Sequence, residues 1–206
     1  MALAGKKALV KRSGSPTPLN NEDLTHITDT EWQVTTAAKR VLAKDALTVE
    51  HEVTAGNWAD VTANVERFDR LAGKVIFESG SGFANTEDLR INGNYLPMTQ
   101  VAEAHEYSVS LEADLEDVTP FQENFRKRIP CLKSASGSLN QFDVLNDYFL
   151  DALLDGDPIV LELYPEDTMD PIRLWALLNT RDVSAAVASP QDESVGFESE
   201  AEVMEG

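Results

Sequence analysis

The sequence predicts a mainly β protein, a β-sandwich or partly closed barrel with one flanking α-helix. Three observations lead there. Apolar and polar residues alternate with period two in many short runs, as strands with one covered face require. Clusters of Gly, Pro, Ser and Asn separate those runs. Only one segment, residues 143–157, carries a clear helical period. Many short strands and one helix fit a sheet-on-sheet or closing-sheet architecture.

The strongest strand is residues 106–116, EYSVSLEADLE. Tyr107, Val109, Leu111, Ala113 and Leu115 fall on one face, and Glu106, Ser108, Ser110, Glu112, Asp114 and Glu116 on the other. This is a half-buried strand with an acidic outer face. At roughly 3.3 Å per residue it spans about 35 Å, long for a globular protein.

The other elements follow in chain order. Residues 6–12 read as a short strand and 13–26, rich in Ser, Pro, Asn and Gly, as a loop. Residues 31–36 alternate and form a strand. A helical turn or connection fits 37–45. Residues 47–55 alternate, with Val49, His51 and Val53 against Thr48, Glu50, Glu52 and Thr54. Two strand-like runs flank Leu-Ala-Gly in 65–79, which predicts a β-hairpin turning at Gly73. Asn92-Gly93 marks a second hairpin turn within 88–97. Residues 117–132 are irregular, with Pro120 and Pro130 and room for a helical turn. Residues 132–142 alternate small polar and apolar residues and fit a strand. In 143–157, Val144, Leu145, Tyr148, Phe149, Ala152 and Leu153 share one side, and Asp143, Asp147, Asp151 and Asp155 lie opposite. Asp143 fits the N-cap and Gly156 the stop. Strands at 158–165 and 171–180 follow, then a last one around 195–197. The 206 residues fit a single domain, with the 13–29 loop and the acidic tail 198–206 expected to be mobile.

Composition narrows the function. The chain has a formal charge of −19, unevenly spread. Residues 141–206 hold sixteen Asp and Glu against Arg173 and Arg181, while Lys6, Lys7, Lys11 and Arg12 cluster near the start. Such acidity disfavours ordinary nucleic-acid binding. It fits simple solubility, and equally a surface that DNA passes without sticking. The single cysteine, Cys131, leaves no internal disulfide and no cysteine-based zinc site. No apolar run reaches membrane-spanning length, and the first residues lack a secretory-signal pattern.

Catalytic chemistry finds no assembled motif. His26, His51 and His105 lack a second ligand at metal spacing. His51, on an otherwise apolar strand face, reads as a core or interface histidine. The acids of 165–171 suit a solvated turn better than a cation site. The glycine-rich 79–88 does not lead from a strand into a helix, as a phosphate loop must. Trp32, Trp58 and Trp175 read as packing residues. Neither a nucleophile motif nor an isolated carboxylate pair stands out. No enzyme activity and no cofactor are expected, and the job reads as structural or binding.

Five ordered segments resemble the major tail tube proteins of long-tailed, non-contractile siphophages. They are LAGKKALVKRSGSPTPL, TEWQVTTAAKRVL, RFDRLAGKVIF, INGNYLPMTQVAEAHEYSVSLEADLEDVT and RIPCLKSASGSLNQFDVLNDYFLDALLDGDPIVLELYP. Their order and spacing match, over residues 4–197. The resemblance implies a β-sandwich with a flanking helix, joined into a ring, usually a hexamer, with a continuous inner barrel. Rings stack into a tube around the tape-measure protein, and the genome leaves through it. The implied partners are other copies of the chain, tape-measure, tail-tip and tail-terminator proteins, with viral DNA passing through unbound. The implied location is the virion tail, after synthesis and assembly in the host cytoplasm. Two departures are Cys131, where the family has glycine, and no separate C-terminal immunoglobulin-like domain. On this reading Glu106, Glu112, Asp114 and Glu116 face the lumen, with Glu50 and Glu52 a second candidate face; an outer, solvated face is the competing assignment. The basic start is expected to meet the acidic end of a neighbouring subunit. A related tube of a contractile tail or secretion system, a tail terminator, or a carbohydrate-binding sandwich are the alternatives.

Overall fold

The computed structural model describes residues 9–80, 83–84, 86–101, 104–117, 128–142, 148–166, 169–184 and 191–205. The protein is mainly β, with fourteen strands and one α-helix among the described residues. The strands are β1 (Leu9–Ser13), β2 (Thr17–His26), β3 (Glu31–Val34), β4 (Thr48–Thr54), β5 (Asn57–Asp60), β6 (Val65–Asp69) and β7 (Lys74–Phe77). They continue as β8 (Leu89–Tyr95), β9 (Met98–Gln100), β10 (Ala104–Asp117), β11 (Arg128–Phe142), β12 (Ile159–Tyr164), β13 (Ile172–Ser184) and β14 (Asp192–Glu205), with helix α1 at Tyr148–Asp155 before β12. The chain forms two compact units, one of Met1–Arg12 with Gln100–Gly206, the other of Ser13–Thr99.

The contiguous unit holds a sheet ordered β5-β4-β8-β2-β3-β7-β6. Its core is Leu19, Leu24, Trp32, Val34, Val49, Val75, Phe77, Leu89 and Ile91 from these strands, with Leu42 from the segment between β3 and β4. The expected hairpin is present: β6 and β7 pair antiparallel. Gly73 turns the chain with φ +65°, and a Cβ there would lie 2.4 Å from the Arg40 carbonyl oxygen. Both the positive φ and the close approach require glycine.

Two expectations fail in this unit. The segment 13–26 is largely strand, not loop: β2 pairs with β8 on one side and β3 on the other. Its polar composition is accommodated because its inward side chains, Leu19 and Leu24, still alternate into the core. A bulge between Leu19 and Glu22 absorbs one extra residue, and Asn21 takes φ 47° with its N–H on Asn92 Oδ1 at 2.7 Å. Asn92-Gly93 is not a hairpin turn either. β8 runs straight through it, paired with β2 and β4, and a Cβ on Gly93 would lie 2.5 Å from Leu47 Cδ2. Glycine here makes room for a neighbour within a strand.

The other unit holds a sheet ordered β10-β11-β14-β13-β12-β1-β9. Its core joins Val10, Ala135, Leu139, Ile159, Leu161, Leu163, Leu174, Ala176, Val195 and Phe197. Helix α1 lies against β13 and contributes Phe149 and Ala152 to that core. The helix ends at Gly156, whose N–H reaches the Ala152 carbonyl at 3.1 Å, as expected. Its predicted first turn, with the Asp143 cap, lies outside the described residues. Three strands are longer than their patterns implied. β11 begins at Arg128, β13 runs to Ser184, and β14 continues to Glu205 instead of fraying at 198. Ladder pairing with β13 carries β14 through its acidic end, where alternation is too weak to read.

Gly73→Ala is expected to destabilise the contiguous unit by about 2 kcal/mol or more, since it adds a left-handed non-glycine residue and a backbone clash. Urea unfolding checks this, and a loss within experimental scatter of zero contradicts the role given to Gly73.

Candidate functional site

β10 is the terminal strand of its sheet, paired only with β11 in the sheet order. The antiparallel register sets Glu106 opposite Asn140, Ser108 opposite Ser138, Ser110 opposite Ser136 and Glu112 opposite Ser134. Directly opposite residues share a face, so these pairs form one polar side. Asn140 Nδ2 donates to Glu106 Oε2 at 3.1 Å, and the Ser108 and Ser138 hydroxyls are 3.0 Å apart. β14 continues the polar side with Ser194, Gly196 and Glu198, and β13 with Thr180 and Asp182. Over the stretch from Glu106 to Glu112 and across to Thr180 and Asp182 the polar side carries Glu106, Glu112, Glu198 and Asp182 and no Lys or Arg; Arg173 lies on the same side further along β13, paired with Glu162. The charges of that stretch are all negative.

The other side of the block is largely apolar, with Tyr107 opposite Leu139, Val109 opposite Gly137 and Leu111 opposite Ala135, but it also holds Lys133 opposite Ala113 and the buried cluster of Gln141, Glu193 and Arg181. Its first half packs as expected. Tyr107 and Val109 lie against the core beside buried Leu139, and burial pushes the Tyr107 phenol up, keeping it neutral. Its second half does not. Leu111 is 50 % exposed and Leu115 57 %, with Ala113 exposed between them. The reason is topological: β14 pairs with β11 only as far as Ser136, so the rest of the β10–β11 pair has no third strand beside it among the described residues. The sequence pattern of a half-buried strand is therefore satisfied only in part within one chain. Glu112, Asp114 and Glu116 are exposed along the same stretch.

Glu50 and Glu52 lie on β4, in the other unit from the β10 acids. Glu50 is half-buried and takes Arg90 Nε and Asn92 Nδ2, each at 2.8 Å. Arg90 also stacks on Trp58, its guanidinium carbon 4.0 Å from the ring centroid, so Trp58 is a surface stacking partner and not a core residue. Glu52 accepts the Gly56 N–H at 2.6 Å across the turn from β4 to β5. Both acids thus have local structural partners.

The basic start is also partly committed. Lys11 lies 3.7 Å from the buried Glu162 carboxylate and donates to Tyr164 Oη at 3.1 Å; Arg173 Nε donates to Glu162 at 2.6 Å. Arg12 stacks on Tyr148 at 3.5 Å. Lys6 and Lys7 lie outside the described residues. The histidines pack against aromatic rings: His26 on Trp32, His51 on Phe83 and His105 on Phe142. Among the described residues no group of three or more His, Cys, Asp or Glu could hold a metal ion.

One sequence word gains a physical meaning. In TTAAKRVL, Lys39 and the Thr36 N–H bind the Glu22 carboxylate, Arg40 Nε binds the Val34 carbonyl at 3.0 Å, and Leu42 is fully buried. The Leu42 N–H reaches the Arg70 carbonyl at 2.8 Å, while the Arg70 side chain returns to the Ala43 and Asp45 carbonyls. The segment 36–45 is thereby sewn to the β6–β7 hairpin, two of the segments on which the family resemblance rests. No pattern of period two or 3.6 reports such side-chain-to-carbonyl links.

No protein-family model matches the chain, and no curated protein matches it either. Among solved structures it is similar to a chain of the tail of an empty gene transfer agent particle, solved with helical refinement and C6 symmetry. That match has a TM-score of 0.47 and 15 % identity, over 52 % of this chain and 85 % of that one. A chain of the virion of a native gene transfer agent particle matches with a TM-score of 0.46 and 14 % identity, over 52 % and 86 % of the two chains.

Glu22 sets an acid limb of stability. Burial opposes its ionisation, but hydrogen bonds from Lys39 and Thr36 outweigh that and hold the carboxyl below its usual value of 4.5. A lowered folded-state value adds stability above about pH 4.5 that is lost as the pH falls through the folded-state value. Glu22→Gln is therefore expected to flatten the loss of stability between neutral and acid pH. Thermal melts across that range check it, and an unchanged acid limb would remove Glu22 as its source.

Proposed function

We propose that this protein is a structural subunit of a siphophage-type tail tube, polymerising through its sheets into stacked rings, six subunits each, that conduct a genome. The carrying observation is the distal half of β10. Its apolar row continues the row that Tyr107 and Val109 bury, yet Leu111 and Leu115 stand half-exposed on an open sheet edge. Monomeric proteins blunt such edges with lysine, proline or a covering element. Along its exposed stretch β10 carries acids and a register shift between Ala113 and Leu115, with Lys133 opposite Ala113, yet no described element covers Leu111 or Leu115. A second copy that covers this row turns an aggregation hazard into an assembly contact.

The polar side of the same block supports the conduit. It is small, hydroxyl-rich and negative, so phosphates passing over it meet repulsion and no cationic foothold. The β10 acids Glu106, Glu112, Asp114 and Glu116 suit the lumen better than Glu50 and Glu52, because Arg90 offsets the charge of Glu50. The same chain is read as one protomer that meets tape-measure, tail-tip and terminator proteins only through the assembled tube, in the virion tail, and performs no catalysis.

Purified protein viewed by negative-stain electron microscopy over a range of concentrations is expected to show rings or hollow tubes. Leu111→Lys with Leu115→Lys is expected to abolish them while leaving the far-ultraviolet dichroism unchanged. Tubes that survive both substitutions would contradict the assembly role of this row. Glu112, Asp114 and Glu116 replaced together by Lys should still form tubes but impair genome delivery. Unimpaired delivery would place these acids outside the lumen.

A further inference from the structure

The tube reading leaves open which edges meet, and the strand register narrows the choice. β13 is paired with β14 over nearly its whole length, but β12 accompanies it only from Ile172 to Ala176. A bulge follows at Asn179, between Leu178 and Thr180. Beyond it, no described strand lies on the far side of β13 through residues 180–184. The four-strand block β10-β11-β14-β13 therefore has two open edges: β10 at one end and the second half of β13 at the other.

These edges match in three respects. In direction, every pairing in the block is antiparallel, so β10 and β13, three steps apart, run in opposite senses. A rotation that closes a ring preserves strand sense, and the junction between copies is then antiparallel like every other. In facing, Asp182 and Thr180 lie on the same polar side as Glu106 and Ser108, so joining the edges continues that side without a break. In apolar content, Val183 is 47 % exposed and lies on the side of Leu111 and Leu115. Arg181 lies beside it on that side, its guanidinium on the buried Glu193, so each edge offers some apolar surface on the same side. The remaining sheet ends do not compete: β9 has three residues, β5 four and β6 five, against fourteen in β10.

We infer that β10 of one copy pairs antiparallel with residues 180–184 of β13 in a second copy, and that this is the contact joining subunits around the ring. It rests on the tube reading above and adds the partner edge to it.

The test uses the full chain with Cys131→Ser, so that introduced cysteines are the only thiols. One variant carries Ser110→Cys and Asp182→Cys, both on the polar side. A control carries Ser110→Cys and Glu66→Cys, the latter on β6. A short flexible bis-maleimide tolerates a register offset between strands about 5 Å apart. Assembled material of the first variant is expected to give a ladder of covalent multimers ending at the ring size, and the control little beyond monomer. Rings or tubes in micrographs without that ladder, or with an equal ladder from the control, would overturn the edge assignment and leave the tube reading standing. An absence of any assembly, with and without a tail-tip preparation, would overturn both.

Discussion

The antiparallel ladder between β10 and β11 governs how this protein presents itself. Twelve cross-strand partners, from Ala104 with Gln141 to Asp117 with Arg128, hold two strands together over most of their length. Because the register between Glu106 and Ala113 has no slip, every Glu and Ser there stays on one side and every apolar residue on the other. A single-residue slip would exchange the two sides. The negative face, the uncovered leucines and the open edge are consequences of that one register. The flanking bulges fall outside this central stretch and leave it intact.

Much of this was legible in the residues. Strict alternation located β10, and Leu-Ala-Gly located the β6–β7 turn, because both signals arise from local geometry that a sequence displays directly. Helix α1 was legible through its acids, four residues apart, opposite an apolar stripe. What the residues did not show is equally instructive. β2 looked like a loop because Pro, Asn and Asp are poor strand formers, but pairing on both sides overrides weak propensity. Gly93 looked like a turn because Asn-Gly usually is one, whereas its cause here is Leu47, distant in sequence.

The candidate site divides the same way. The segregation of Glu106, Glu112, Asp114 and Glu116 on one side follows from counting residues. That Leu111 and Leu115 lack cover does not, since it depends on where β14 stops pairing with β11. Nor does counting reveal that Glu50 already has Arg90, which comes from a strand forty residues further on. Alternation tells which residues share a side; it is silent on what lies over that side.

The sheet order also fixes a sequence of events during synthesis. The contiguous unit, Ser13–Thr99, has all its strands as soon as β8 has emerged. The other unit cannot close then, because β1 pairs with β12, placing Leu9 beside Tyr164. At about 5–20 residues per second, β1, with only β9 beside it, waits several seconds or more for β12. Closing so long a loop is also slow in entropy terms. The nascent chain thus carries a finished half and an unfinished one, and its open strands are most vulnerable to wrong pairing in that interval.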